Sequence, residues 1–316
     1  MSFASKPAQT NPAGAPVDPS RGGGRTAKTL APALAAFALT GLPVSAAHAA
    51  GTVNVLYAGS LQNLMEHTLG PAFDKASGFH FRGYAGGSKL LANEIKGKQR
   101  RADVFISAVP SVNKSLMGSA NGDWVSWYVS FAQSPLVIGY NRKSRFAADF
   151  KSKSWCRALT EPGIRIGRTD PKLDPKGGLT IALLKQAGNY CKIPSFFNKV
   201  VGKPVNSSEV LPEEVLVGRL QSGQLDAGFF YSTETSDAKI PAVRLPAQIA
   251  PKAVYTVAIP RRAPDPAGAE RFAAFLLGPN GGRLMKEHGL TLRKPALTGK
   301  AGDAPPAVAA VLDRRK

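Results

Sequence analysis

From residue 53 onward the chain alternates apolar runs of strand length with apolar residues at helical spacing. Val53-Asn54-Val55-Leu56-Tyr57 reads as a strand, and Leu61, Leu64, Met65 and Leu69 then recur at the spacing of a half-buried helix. Ala58-Gly59-Ser60 joins them, the glycine permitting a tight turn and Ser60 predicted as the helix N-cap. The same device follows at once. Residues 79–84 alternate as a strand should, Gly86-Gly87-Ser88 enters a second helix, and Leu90, Leu91 and Ile95 form its apolar side. A third strand, residues 102–108, is a continuous apolar run, as expected where helices cover both faces of a parallel sheet. Pro110 opens another helix.

Residues 124–132 are aromatic and β-prone, Pro135 interrupts, and 136–140 resumes as a strand. This is the candidate crossing into a second lobe, although one long strand bent at an edge fits the same residues. Residues 164–167 lead through a polar, turn-rich loop at 169–178 to a helix over 181–188. A short helix over 213–220 and a buried strand over 225–231 follow. Residues 254–259 form a strand returning to the first lobe, and helices over 271–277 and 282–288 close it. Beyond Pro295 the Pro-, Ala- and Gly-rich composition predicts a loose tail. The expected division is 1–49 as leader, 50–133 as the first part of lobe 1, 134–245 as lobe 2, 246–294 as the return to lobe 1, and 295–316 as tail.

The leader differs in kind from the rest. Arg21, Arg25 and Lys28 precede an apolar run at 29–44, and Ala47-His48-Ala49 ends it in signal-peptide order. The run is broken by Pro32 and Pro43 and is short for a span of roughly twenty residues, so cleavage after Ala49 and export to the periplasm are expected. The length of the leader points to translation starting downstream of Met1. The 316-residue chain carries a net charge of +20; residues 1–49 hold four of its Lys/Arg and one acid, leaving +17. Such a field attracts anions without choosing among them. The basic residues are scattered singly among acids with no recognition motif, which argues against nucleic acid. Cys156 and Cys191 are the only cysteines; an oxidising compartment would allow them to bridge, and spacing leaves the pairing open.

The sequence contains no H-E-x-x-H, C-x-x-C, G-x-x-x-x-G-K-[ST] or G-x-S-x-G, and no nucleophile with an obvious base, so no catalytic chemistry is legible in it. Two glycine-serine turns, each after a strand, place Ser60 and Ser88 where open α/β sheets bind ligands, beside helix N-termini that favour oxyanions.

With Ala58-Gly59-Ser60, Ala85-Gly86-Gly87-Ser88 and the 102–108 strand in view, the chain resembles the extracytoplasmic molybdate/tungstate-binding proteins over nearly all of residues 52–292. Asp174-Pro175-Lys176-Gly177, Pro212-Glu213-Glu214, Leu225-Asp226 and Phe230-Tyr231 are similar to the archaeal-type branch. The resemblance implies the α/β type II periplasmic-binding-protein fold, two α/β lobes joined by two hinge crossings. It also implies a monomer that delivers an oxyanion to an ABC importer, a permease in the inner membrane with a cytoplasmic ATPase, and no cofactor beyond the molybdate or tungstate carried. Carried over residue by residue, it implies ligand contacts from Ser60, Ser88, Asp174, Glu213 and Tyr231. Glu214 offers the same carboxylate in a shifted register.

The hydroxyls of Ser60, Ser88 and Tyr231 would donate to oxo groups. Asp174 and Glu213 would repel a dianion unless they bind its metal centre. Molybdenum(VI) and tungsten(VI) can expand from four to six oxygen ligands, whereas the centres of sulfate and phosphate do so far less readily, so the carboxylates would penalise competitors. Sulfate or a small carboxylate bound by the same fold, or a secreted hydrolase, are the alternative readings. Gly178-Leu179 departs from the family pattern of an aromatic and a basic residue, and the direction in which Lys176 faces is open.

Overall fold

The computed structural model describes residues 51–202 and 209–314; the expected leader and its cleavage site lie outside them. In chain order the strands are β1 (Thr52–Ala58), β2 (His80–Gly86), β3 (Val104–Ser107), β4 (Trp127–Tyr140), β5 (Ile166–Thr169), β6 (Val210–Leu211), β7 (Ala227–Tyr231), β8 (Ala242–Arg244), β9 (Lys252–Ala258) and β10 (Thr291–Gly299). They form one curled sheet in the order β2-β1-β3-β9-β4-β7-β5-β6, with β8 and β10 also pairing β4. Lobe 1 is built on the parallel pairs β1/β2 and β1/β3, and lobe 2 on the parallel pairs β5/β7 and β5/β6.

β4 belongs to both lobes. Its first half pairs antiparallel with β9 and β10, and from Leu136 it pairs with β7 and β8. The expected interruption at Pro135 is therefore absent: a single 14-residue strand makes the crossing. Proline fits because its fixed φ suits extended chain and its missing N–H falls where the partner changes from β9 to β7. The second crossing runs from the end of β8 at Arg244 to the start of β9 at Lys252.

Both faces of each half-sheet are covered, which explains the continuous apolar runs. In lobe 1, Val53, Val55 and Tyr57 pack with Phe73, Phe81 and Phe272, while Leu56 and Phe105 face Leu91 and Ile95 on the other side. In lobe 2, Ile166 packs with Leu183, Leu184 and Phe196, and Phe230 packs with Leu216 and Leu220 opposite. Cys156 and Cys191 form a disulfide that ties the short Trp155–Ala158 helix to the end of the Pro175–Cys191 helix.

Two expectations are corrected. The chain after Pro295 is not loose: β10 covers an edge of β4, and the Pro306–Asp313 helix buries Val308 completely while Ala307 N donates to Glu270 Oε1 at 2.7 Å. An open edge of β4 would leave a row of unpaired backbone groups, and this segment satisfies it. The helix expected over 181–188 begins at Pro175, because Asp174 caps it and proline suits a first helical position. Among the described residues no helix is long and apolar enough to cross a membrane.

Candidate functional site

The sequence-predicted residues sit at the carboxyl ends of parallel strands, where such sheets hold ligands. β1 hands the chain to Gly59-Ser60 and β2 to Gly87-Ser88; β5 precedes the loop ending in Asp174, β6 precedes Glu213, and β7 ends on Tyr231 itself. The lobes are closed upon one another. Leu90 N donates to Leu173 O at 3.0 Å and Lys89 Nζ to Pro171 O at 2.7 Å, both across the interlobe space. His288 bridges the same space, with Nε2 2.9 Å from Thr68 Oγ1 and Nδ1 2.9 Å from Asp237 Oδ1. A methyl group on Gly59 would meet Glu213 Oε2 at 2.9 Å, and one on Gly87 would meet Leu173 O at 2.6 Å. Clefts lined by Gly59, Ser60 and Glu234 on one side and by Gly87, Leu173 and Asp174 on the other both reach Glu213.

The serines do not cap their helices. Ser60 lies inside a 3-10 turn, Gly59–Leu61, and its Oγ is 3.0 Å from Tyr255 Oη. Ser88 is the first residue of the Ser88–Lys96 helix, and its Oγ accepts from Ala108 N at 3.1 Å. The reason is positional: with Ala58 and Gly87 in the cap positions, Ser60 lies two residues and Ser88 one residue past the cap, so neither hydroxyl caps its own helix. For function the change is favourable. Because Ser88 Oγ accepts from Ala108, its hydrogen is free for a guest.

Opposite them, Asp174 is the true cap: its Oδ1 accepts from Lys176 N at 2.5 Å. Glu213 opens the Glu213–Gln221 helix with its side chain buried, whereas Glu214 is exposed, so the geometry brings Glu213 to the site. Asp174 Oδ2, Glu213 Oε2 and Tyr231 Oη are buried and receive no hydrogen bond from a protein donor, while Glu213 Oε1 has only the Lys176 ammonium, at 3.2 Å. A buried polar atom left unsatisfied costs about 1–3 kcal/mol, which a bound polar partner would recover.

Glu234 is the residue that sequence reasoning missed, and Lys176, whose choice between offsetting the carboxylates and facing water the sequence leaves open, turns inward. The Lys176 ammonium is fully buried, 2.7 and 2.9 Å from the two Glu234 oxygens and 3.2 Å from Glu213 Oε1. Glu234 Oε2 also accepts from Tyr231 N at 2.7 Å. The signal for Glu234 was available: a glutamate three residues into a helix commonly reaches back to the amide at its start. For Lys176 the signal was its place beside the Asp174 loop, which did not fix the direction of its side chain.

The charges are tightly coupled. Burial pushes the Glu213 carboxyl up to about 8, and the neighbouring Asp174 charge adds to this against the pull of Lys176. Burial also raises Asp174, with Lys176 opposing. Burial alone would lower Lys176, but Glu234, Glu213 and Asp174 outweigh it and hold the ammonium charged. Burial keeps the Tyr231 phenol protonated, so it remains a donor. Among the described residues no group of three or more His, Cys, Asp or Glu side chains is arranged to hold a metal ion.

A family model described as bacterial extracellular solute-binding protein matches residues 53–291. The chain is 30% identical over 201 residues, 63% of its length and 61% of the relative's, to a putative ABC transporter molybdenum-binding protein of Haloferax volcanii. It is 24% identical over 302 residues, 78% of its length and 84% of the relative's, to the molybdate/tungstate-binding protein WtpA of Thermococcus kodakarensis. Its backbone is similar to that of the Azotobacter vinelandii periplasmic molybdate-binding protein, with a TM-score of 0.61, 21% identity, and coverage of 76% of this chain and 99% of that one.

Proposed function

The chain belongs to the bacterial extracellular solute-binding protein family, and from that premise we propose that it captures molybdate or tungstate between its lobes for an ABC importer. Its fold is of the type II periplasmic-binding kind. The observation that carries the reading is the set of buried oxygens on Asp174, Glu213 and Tyr231 that receive no hydrogen bond from the protein, Glu213 Oε1 having only the Lys176 ammonium, beside a cleft that Ser60 and Glu213 line together.

In this reading Ser60, Ser88 and Tyr231 donate to the oxo groups, and the helix N-termini behind Ser60 and Ser88 add favourable dipoles. Asp174 and Glu213 give lone pairs to the metal of the oxyanion, raising its coordination from four to six. Sulfate and phosphate have no metal centre to take these lone pairs or to displace the proton that burial holds on Glu213; the ionised carboxylate of the pair would meet them as a charge at close range, and two unit charges 4 Å apart repel by about 4 kcal/mol at an effective dielectric of 20. Lobe closure by hinge motion about the two crossings completes the site. The chain acts as a carrier in the periplasm, and the permease and its ATPase are its partners.

Isothermal titration with molybdate, tungstate, sulfate and phosphate in one buffer tests the proposal. Heat with molybdate or tungstate and none with the others is expected. A response to sulfate, phosphate or a small carboxylate, with none to the two metal oxyanions, refutes it.

A further inference from the structure

The buried Lys176 is the part of the pocket that the coordination argument leaves unused. It projects from the first turn of the Pro175–Cys191 helix and touches each group that lobe 2 brings to the guest. Its amide holds Asp174 Oδ1 at 2.5 Å, and its ammonium lies 3.2 Å from Glu213 Oε1. The ammonium also grips both oxygens of Glu234, whose Oε2 fixes the Tyr231 amide. Three helix starts, at Pro175, Glu213 and Ser232, thereby converge on one cation. Its ammonium is also 5.4 Å from the centre of the Tyr231 ring.

The charge pattern gives this convergence a purpose. Asp174, Glu213 and Glu234 put three carboxylates into one buried space, and a guest dianion would join them. Lys176 is the cation on the lobe 2 side of that space. Its hydrogen bonds go to Glu234, so the net field felt by a guest depends on the balance between the two.

We propose that Lys176, balanced by Glu234, sets the charge of the closed pocket and positions the three lobe 2 ligands, making this pair a determinant of oxyanion affinity. The inference rests on the carrier reading above. A purely structural ion pair and a charge-setting pair make different predictions. If the pair merely holds the fold, removing either partner harms binding in the same direction. If it sets the pocket charge, the two removals act with opposite sign, because Lys176→Met makes the pocket more negative and Glu234→Gln makes it less so.

The experiment is calorimetric titration of the full mature chain with tungstate and molybdate, beside thermal melts without ligand. Lys176→Met should weaken binding about 10- to 100-fold, the range for partners that orient metal-site ligands. Glu234→Gln should tighten it by about threefold or more, as removal of one partly screened negative charge would. Should Lys176→Met not fold, the double variant Lys176→Met/Glu234→Gln removes both charges at little change in volume. It should melt as a folded protein yet bind about tenfold more weakly or worse, since the hold on Asp174, Glu213 and Tyr231 is gone. Weaker binding by Glu234→Gln, or wild-type affinity in the double variant, overturns the inference while leaving the carrier reading in place. A wild-type chain that binds neither anion refutes both.

Discussion

Gly87→Ala separates closure of the lobes from stability of the fold. Gly87 has φ −59° and ψ 126°, a conformation alanine adopts freely, so the backbone does not call for glycine. The neighbour across the cleft does. A Cβ here would stand 2.6 Å from Leu173 O, while ordinary contact begins near 3.4 Å, so the lobes must part locally by about 0.8 Å. Parting breaks the 3.0 Å bond from Leu90 N to Leu173 O, worth about 0.5–1.5 kcal/mol net. It also withdraws Asp174, the next residue, from the guest, a charged contact of about 1.5–3 kcal/mol. Together these give about 2–4.5 kcal/mol, or roughly 30- to 1,600-fold in Kd for tungstate. Calorimetry measures the affinity, and small-angle scattering should show that tungstate compacts the wild type but not the variant. The melting temperature without ligand should stay within about 2 °C of wild type, because the contact exists only between lobes. Gly188→Ala, in a helix with nothing within 4 Å of the added methyl, serves as control: it should raise stability by up to about 1 kcal/mol and leave Kd alone. A Gly87→Ala protein that binds tungstate within about threefold of wild type would falsify the reasoning.

Asp174→Ala should weaken tungstate binding by at least about tenfold and let sulfate compete; competition titrations that find sulfate still excluded would remove the six-coordinate argument. Reducing Cys156–Cys191, or replacing both by serine, opens a loop of 35 residues and should lower unfolding free energy by roughly 3–4 kcal/mol, seen as a lower urea midpoint; an unchanged midpoint with both thiols titratable counts against it. Asp226 is held below the usual carboxylate range: burial pushes it up, but Arg165 Nε at 2.8 Å and Ser144 Oγ at 2.7 Å outweigh that. A depressed folded pKa contributes stability above the unfolded value of about 3.9 that is lost as pH falls through the folded value. Asp226→Asn should therefore cost about 1–3 kcal/mol at pH 7 and flatten the stability profile below about pH 4 in denaturant titrations; a profile parallel to wild type would contradict it.

Much of the architecture was legible because its strands are short, apolar and followed by glycine-serine turns. β1, β3, β7 and the Glu213–Gln221 helix lie within a few residues of where periodicity places them. Three features were hidden, each for a physical reason. Pro135 reads as a break locally, yet the strand changes partners there, and only the sheet reveals that its missing donor is not needed. The C-terminal segment has a tail's composition, and its order comes from the edge of β4 and from Val308, both distant in sequence. Lys176 follows the Asp174 loop and could face water or the carboxylates, and its burial depends on Glu213 and Glu234, which arrive from two later helices. The cap falls two residues before Ser60 and one before Ser88, since a cap assignment depends on φ and ψ and not on residue type alone.

On the proposed function the two halves of the site divide the chemistry unequally. Lobe 1 would contribute the hydroxyls now engaged with Tyr255 and Ala108, groups that suit any oxyanion of the right size. Lobe 2 would contribute two carboxylates, a phenol and a buried ammonium, which together would disfavour an anion unless its centre takes further oxygen ligands. An anion resting on lobe 1 alone would then be held without discrimination, and closure, with Gly59 and Gly87 letting the lobes approach, would present it to Asp174 and Glu213. Discrimination must then appear in the step that closes the lobes: sulfate, if it lands on Ser60 and Ser88, should leave the protein open, and tungstate should shut it.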